Sequence, residues 1–256
     1  FQDLEAYGRI VHLQPVAWQG DWPVIGTDPD HDGRGEPVLT HQKPLVGGTT
    51  RPSEIHAPAS SDDFGSASLG LQWQWQANPQ PAWYSLTAAP GAIRLFAQPE
   101  PAPGNLYDAA FLLLQKFPAL EFTVTTKLAF SPRANGDTTG LMIFGFDYAW
   151  LGLARRDGTT SLVLATRHDA AKRKPQSLQI LDRAISGPVW LRVSVHAGAK
   201  CRFAWSSDGT TFTTVDAPDF TATVGRWVGA KVGLFASGAP GAFVDSDWFH
   251  VEPLKP

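Results

Sequence analysis

The sequence predicts an all-β protein, a sandwich or barrel of antiparallel strands, and three observations carry that prediction. Apolar and polar residues alternate over long stretches, whereas helical periodicity is nearly absent. Asp-Gly pairs stand between alternating segments, at Asp157-Gly158 and Asp208-Gly209, and such pairs favour tight hairpin turns. Ten Trp and 15 Phe accompany 24 Gly and 21 Pro, a mixture of strand-forming rings and turn formers.

In chain order, residues 10–16 and 22–25 are the first strand candidates. Residues 27–36 are then rich in Asp and Gly, and residues 40–59 carry Gly47-Gly48, Pro44, Pro52 and Pro58 with little periodicity, a linker composition. A boundary is expected near residue 58, with residues 1–57 too few to form an independent domain of this composition. Beyond it, residues 69–75 place every apolar side chain at an odd position, and residues 120–130 alternate throughout. Residues 93–97, 110–115, 140–146, 149–154, 161–166, 189–195, 201–205, 231–236 and 243–251 complete the set.

Lys and Arg total 21 against 24 Asp and Glu, and no basic block stands out, which argues against a nucleic-acid partner. Lys172-Arg173-Lys174 reads as a solvated loop. No apolar run reaches membrane-spanning length. The one cysteine, Cys201, excludes an intrachain disulfide and a cysteine-based zinc site, and its alternation with Phe203 and Trp205 reads as a buried strand thiol. The chain opens on Phe1 without a leader-type segment, which reads as a fragment or processed product and leaves the compartment open. Surplus tryptophan favours sugar binding, because an indole face packs on the apolar face of a pyranose; core packing accounts for most of the ten.

Three groups of segments are more specific. The first is Tyr7-Gly-Arg-Ile-Val-His-Leu-Gln-Pro-Val-Ala-Trp18 with Asp21-Trp-Pro-Val-Ile-Gly26. The second runs from Leu71-Gln-Trp-Gln-Trp75 through Asn78-Pro79 and Trp83-Tyr-Ser-Leu86 to Pro90-Gly-Ala-Ile-Arg-Leu95. The third is Trp190-Leu-Arg-Val193, Ser206-Ser-Asp-Gly209, Val232-Gly-Leu-Phe235 and Asp247-Trp-Phe249. In this order and spacing they resemble the C-terminal part of glycoside hydrolase family 43 enzymes, the β-xylosidase and α-arabinofuranosidase group. The resemblance implies that residues 1–57 are a β-propeller remnant plus linker. Residues 58–256 would then be a concanavalin-like antiparallel β-sandwich of jelly-roll type, a domain also classed as a xylan-binding module. The family's inverting reaction uses carboxylates on opposite faces of the sugar with room for a water. In the family they come from earlier propeller blades, so no catalytic residue is carried over.

The resemblance also supplies binding candidates. Arg9 matches a propeller arginine that reaches the sugar in the family, and a guanidinium offers a fixed fork of donors; the alternative is an arginine exposed on an orphan blade. Trp227, between Gly225 and Gly229, aligns with a loop that brings an aromatic ring to the rim of the propeller's site; the alternative is packing at a domain contact or in the core. Phe144, Phe146, Tyr148 and Trp150 form either an exposed aromatic row or part of the core. Trp83, in a loop beside Pro81, is a surface candidate, whereas Trp73, Trp75, Trp190 and Trp205 read as core.

Metal candidates come from a loop motif and from the type of sandwich the resemblance implies. Asp28, Asp30, Asp32 and Glu36, with Gly33, match the front half of an EF-hand-like calcium loop, but Leu39 stands where the bidentate Glu belongs. Asp62, Asp63, Asp245 and Asp247 bracket the sandwich. Sandwich modules of the type the resemblance implies often pin first and last strands with a calcium between such acids; ordinary strand-end acids are the alternative.

The function expected is a carbohydrate-binding or accessory sandwich, with a xylan- or arabinoxylan-type glycan as partner, or one that completes a partner's active site. One rival is a working part of a xylosidase or arabinofuranosidase whose propeller lies elsewhere; another is a purely structural domain. A propeller catalytic domain or a second copy of the chain is the expected protein partner.

Overall fold

A computed structural model describes residues 2–42 and 58–254. The chain forms two compact units, Phe1–Asp3 with Ile10–Ala57, and Leu4–Arg9 with Pro58–Pro256. The expected linker falls largely on residues 43–57, outside the described residues.

The small unit is built on a hairpin of β1 (Val16–Gln19) and β2 (Trp22–Ile25), paired from Val16↔Ile25 to Gln19↔Trp22. Gly20, at φ +61°, makes the reversal. Residues 11–15, expected as strand, are irregular. A bridge between Thr27 and Glu36 then closes the Asp-rich loop.

The large unit is a two-sheet sandwich in which the paired strands run antiparallel. The seven-stranded sheet uses β3 (Gln74–Trp75), β6 (Leu113–Lys116), β8 (Thr138–Phe144), β9 (Tyr148–Arg156), β10 (Thr159–Arg167), β11 (Ser177–Asp182) and β16 (Lys231–Ser237). Its spatial order is β11-β10-β9-β8-β16-β6-β3. The second sheet uses β4 (Tyr84–Ser85), β5 (Ile93–Phe96), β7 (Phe122–Ser131), β12 (Val189–His196), β13 (Lys200–Ser206), β14 (Thr213–Thr214) and β17 (Phe243–Pro253). It runs β14-β13-β12-β7-β17-β5-β4, and β15 (Phe220–Thr221) also pairs with β13. The sequence misses β11, a polar edge strand. It overextends β3, because the Trp73 amide closes a turn onto Gly70 and Leu71 points fully into solvent.

Both Asp-Gly turns form. Asp157 and Gly158 take φ +48° and +75° between β9 and β10. Asp208 takes its turn between β13 and β14, its carboxylate accepting from the Thr210 and Thr211 amides.

The inter-sheet core is mostly aliphatic, with Leu141, Leu151, Leu162 and Leu234 facing Val124, Leu191, Val193 and Val244, and it also takes in the rings of Trp73, Phe122, Phe203 and Phe249. Cys201 lies in it, its thiol pushed up to about 12 by burial. A second buried cluster, holding Met142, Phe144, Tyr148, Trp150 and Phe235, covers the other face of the seven-stranded sheet under Leu106, Ala109 and Phe111. Gly140 and Gly152 pair directly beneath it; a Cβ on Gly152 would lie 1.9 Å from the Thr139 carbonyl oxygen, so only glycine permits this approach.

Candidate functional site

The loop of residues 225–229 is a tightly turned projection. The Gly225 amide donates to the Val228 carbonyl (2.9 Å). A Cβ on Gly229 would lie 2.5 Å from the Gly8 amide nitrogen, so this residue must be glycine to let the N-terminal turn pack close. That turn, Glu5–Tyr7, accepts the Ala230 amide at the Ala6 carbonyl (2.6 Å), and Tyr7 donates its hydroxyl proton to the Leu120 carbonyl (3.0 Å). At the tip, Trp227 holds φ +67°, a left-handed conformation costing a non-glycine residue roughly 1–2 kcal/mol. The residue is 76% exposed, and the Arg9 guanidinium carbon lies 5.6 Å from the ring centroid. Two candidates singled out separately in the sequence therefore meet, because Leu4–Arg9 packs with the sandwich.

Beside this loop lies a cavity of about 300 Å³, lined among others by Gln76, Tyr107, Asp108, Phe144, Arg226 and Lys231. None of these except Phe144 was singled out in the sequence. Bringing them together requires the strand register, which places Lys231 opposite Lys116 and Gln76 one residue past β3.

Tyr148 and Trp150 are 0% and 1% exposed, which corrects the idea of an exposed aromatic row. The Tyr148 hydroxyl lies 2.9 Å from the Gly104 carbonyl and 3.0 Å from Gln176 Oε1, and Trp150 Nε1 donates to the same Gln176 oxygen (3.2 Å). The row fails because a covering segment and Gln176 occupy that face. Trp83 is half-buried, its ring 5.4 Å from that of Trp75, so it is not a free surface ring either. Trp73 is core as expected, while Trp75, Trp190 and Trp205 are half-buried.

Asp28, Asp30 and Asp32 each offer a carboxylate oxygen within 4.8 Å of the others, a set that can hold a metal ion. These acids also stabilise their own loop. Asp28 accepts from the Gly33 amide and Gln19 side chain, and Asp32 from the Arg34 amide. The Gln19 bond and the backbone bonds hold the Asp28 carboxyl below its usual range. Glu36 is not in the set; its backbone pairs with Thr27. Calcium takes six to eight oxygens, so three carboxylates are half a shell.

The acids bracketing the sandwich do not converge on a cation site. Asp63 contacts His250 Nε2 (2.6 Å), Asp245 takes a bidentate bond from Arg94 (2.8 Å each), and Asp247 accepts from Lys127 (2.6 Å). The strand ends are pinned instead by Asp62, which pairs with Phe249 through the backbone and accepts from Trp73 Nε1 (2.8 Å).

The family described as the beta xylosidase C-terminal concanavalin A-like domain matches residues 61–252. The chain belongs to this family. It is 30% identical over 262 residues to a beta-xylosidase of Formosa agariphila, covering 96% of this chain and 43% of that protein. It is 26% identical to a non-reducing end alpha-L-arabinofuranosidase of Bacteroides ovatus, covering 96% of this chain and 45% of that one. Among solved structures, the GH43 BlXynB protein of Bacillus licheniformis superposes with a TM-score of 0.71 at 25% identity, over 96% of this chain and 47% of that one. The chain thus spans less than half the length of the curated relatives it matches. Residues 61–252 are a concanavalin A-like domain of the kind found C-terminally in beta xylosidases. Among the described residues, no helix is long and apolar enough to cross a membrane.

Proposed function

We propose that this domain is an accessory β-sandwich of a hemicellulose-acting glycoside hydrolase, and that it presents Trp227 to a xylan-type glycan at the margin of a catalytic domain's site. One observation carries the reading: a tryptophan 76% exposed, held at a strained backbone angle on a loop braced by glycines. Strain of this kind persists where surrounding structure enforces it, as it does at ligand-contacting loops. A preset ring loses little freedom on binding and stacks on a sugar face. The names of the relatives, beta-xylosidase and arabinofuranosidase, supply the substrate class.

Residues 1–3 and 10–57 belong, in this reading, to the neighbouring propeller, with the domain boundary near residue 58. Val11 and Leu13 before the hairpin and Trp18 and Trp22 within it are 82%, 97%, 69% and 71% exposed, a concentration of apolar surface that marks a partner-facing region.

Trp227→Ala is expected to abolish retention on soluble xylan in affinity electrophoresis while leaving the melting temperature nearly unchanged. Weak binding, micromolar to millimolar in order of magnitude, is expected of the unmodified chain. Unchanged retention, or a large drop in melting temperature, would remove Trp227 from this role.

A further inference from the structure

The cavity beside the Trp227 loop has a charge pattern that the stacking role of Trp227 does not explain. Lys231, half-buried on β16, donates to a neutral partner, Gln76 Oε1, at 3.3 Å. Arg226 lines the same cavity from the exposed loop. Among the described residues no carboxylate lies within ion-pair distance of either cation. Asp108, the one acid of the lining, accepts instead from the Asn105 amide (2.7 Å). The strand register also sets Lys116 directly opposite Lys231, and like charges placed so repel. Burial first, and Lys116 second, push the Lys231 ammonium down, both penalties that a bound anion would offset. The other wall is aromatic: Tyr107 and Phe144 stack at 5.9 Å with an angle of 22°. At about 300 Å³ the space is at the lower end of ligand sites, suited to one sugar ring.

We infer that this cavity is a subsite for a single carboxylate-bearing pyranose, a uronic acid, whose carboxylate meets Lys231 and Arg226 and whose ring lies along Tyr107. Gln76 and Asp108 are placed to take its hydroxyls. The inference rests on the glycan-facing reading of the Trp227 loop, which supplies the second flank of the same surface. The uronic acid is either free or a branch on a β-1,4-xylan; both present the same ring and carboxylate.

The test is titration of the full chain, by NMR or calorimetry, with D-glucuronate and with the uncharged D-glucose and D-xylose. Glucuronate should bind roughly tenfold or more tightly than either neutral sugar, the scale of a charge-assisted hydrogen bond, and added salt should erode that preference. Lys231→Met and Arg226→Gln should each cut the preference several-fold. Arg226 sits on an exposed loop, so its variant keeps the test intact if Lys231→Met fails to fold. A xylo-oligosaccharide with a glucuronic acid branch binding more tightly than the unbranched chain assigns the branch as the source; equal binding of the two, with glucuronate still preferred, assigns the free sugar. Equal affinity for glucuronate and glucose, or a preference that survives in both variants, would overturn the subsite. If neutral xylan retention through Trp227 persisted in that case, the proposed function would stand and only this inference would fall.

Discussion

In the eight-stranded sheet, Val189, Leu191, Val193 and Val195 are buried while Trp190, Arg192, Ser194 and His196 are partly open to solvent; in the seven-stranded sheet, every residue from Thr139 to Phe144 and from Tyr148 to Ala154 is buried. The first sheet is covered on one face and the second on both. The rings on the two outer faces live accordingly. On the half-exposed face they sit beside cations, with Lys127 Nζ 5.6 Å from the Trp190 ring centroid and the Arg192 guanidinium 3.5 Å from that of Phe212. On the covered face they are stitched to a loop through Tyr148, Trp150 and Gln176. An aromatic row becomes a platform or a core depending on what the rest of the chain lays over it.

Substitutions on the two outer faces sharpen this contrast. Trp150→Ala should have the largest effect, about 3–5 kcal/mol in urea denaturation, because it empties a buried site against Phe235. A loss under about 1 kcal/mol would show that the covering segment is not a true core. Gln176→Ala should cost about 1–3 kcal/mol, since it removes the acceptor of the buried Trp150 indole N–H, whereas Tyr148 keeps the Gly104 carbonyl. If its stability matched the parent chain, the stitching would be incidental.

Glu100, under the same covering segment, accepts from the Gly104 amide, and burial raises its pKa above the ordinary 4.5. A raised carboxyl binds its proton more readily folded than unfolded, so rising pH takes stability away between the unfolded and folded values. Stability measured from about pH 4 upward should fall more in the parent than in Glu100→Gln; parallel curves would contradict the burial of this group. Smallest of all, Lys127→Met on the half-exposed face should change stability by about 0–1 kcal/mol despite its 2.6 Å contact with Asp247, because both side chains are partly solvated.

The same contrast explains what was legible in the sequence. β12 and β7 alternate because one of their faces meets water, and both Asp-Gly turns announced their hairpins. The strand before Phe144 and the one after Tyr148 were also visible, but their exposure was not. That depends on Leu106, Ala109 and Phe111, which lie in a segment without periodicity. β11 was missed since Ser177, Gln179 and Asp182 dilute its apolar positions at an edge. The projecting position of Trp227 was legible from its flanking glycines. Lys231 and Arg226 were not, because neither residue belongs to a motif, and only folding sets them around one cavity. The acids near the two ends of the sandwich misled for a related reason. Their spacing allowed a cation, whereas Lys127, Arg94 and His250 come from register.

The backbone pairing of Asp62 with Phe249 (2.9 and 2.8 Å), extended by the Val251 amide donating to Ser61 Oγ (2.8 Å), gives the sandwich a common doorway for entry and exit. Ends that emerge side by side tolerate insertion and permutation, and Leu4–Arg9, which packs with the sandwich, lies outside this doorway. The doorway also suits a rewired chain, in which a short Gly-Ser link joins those ends and a cut at Asp157-Gly158 supplies new ones.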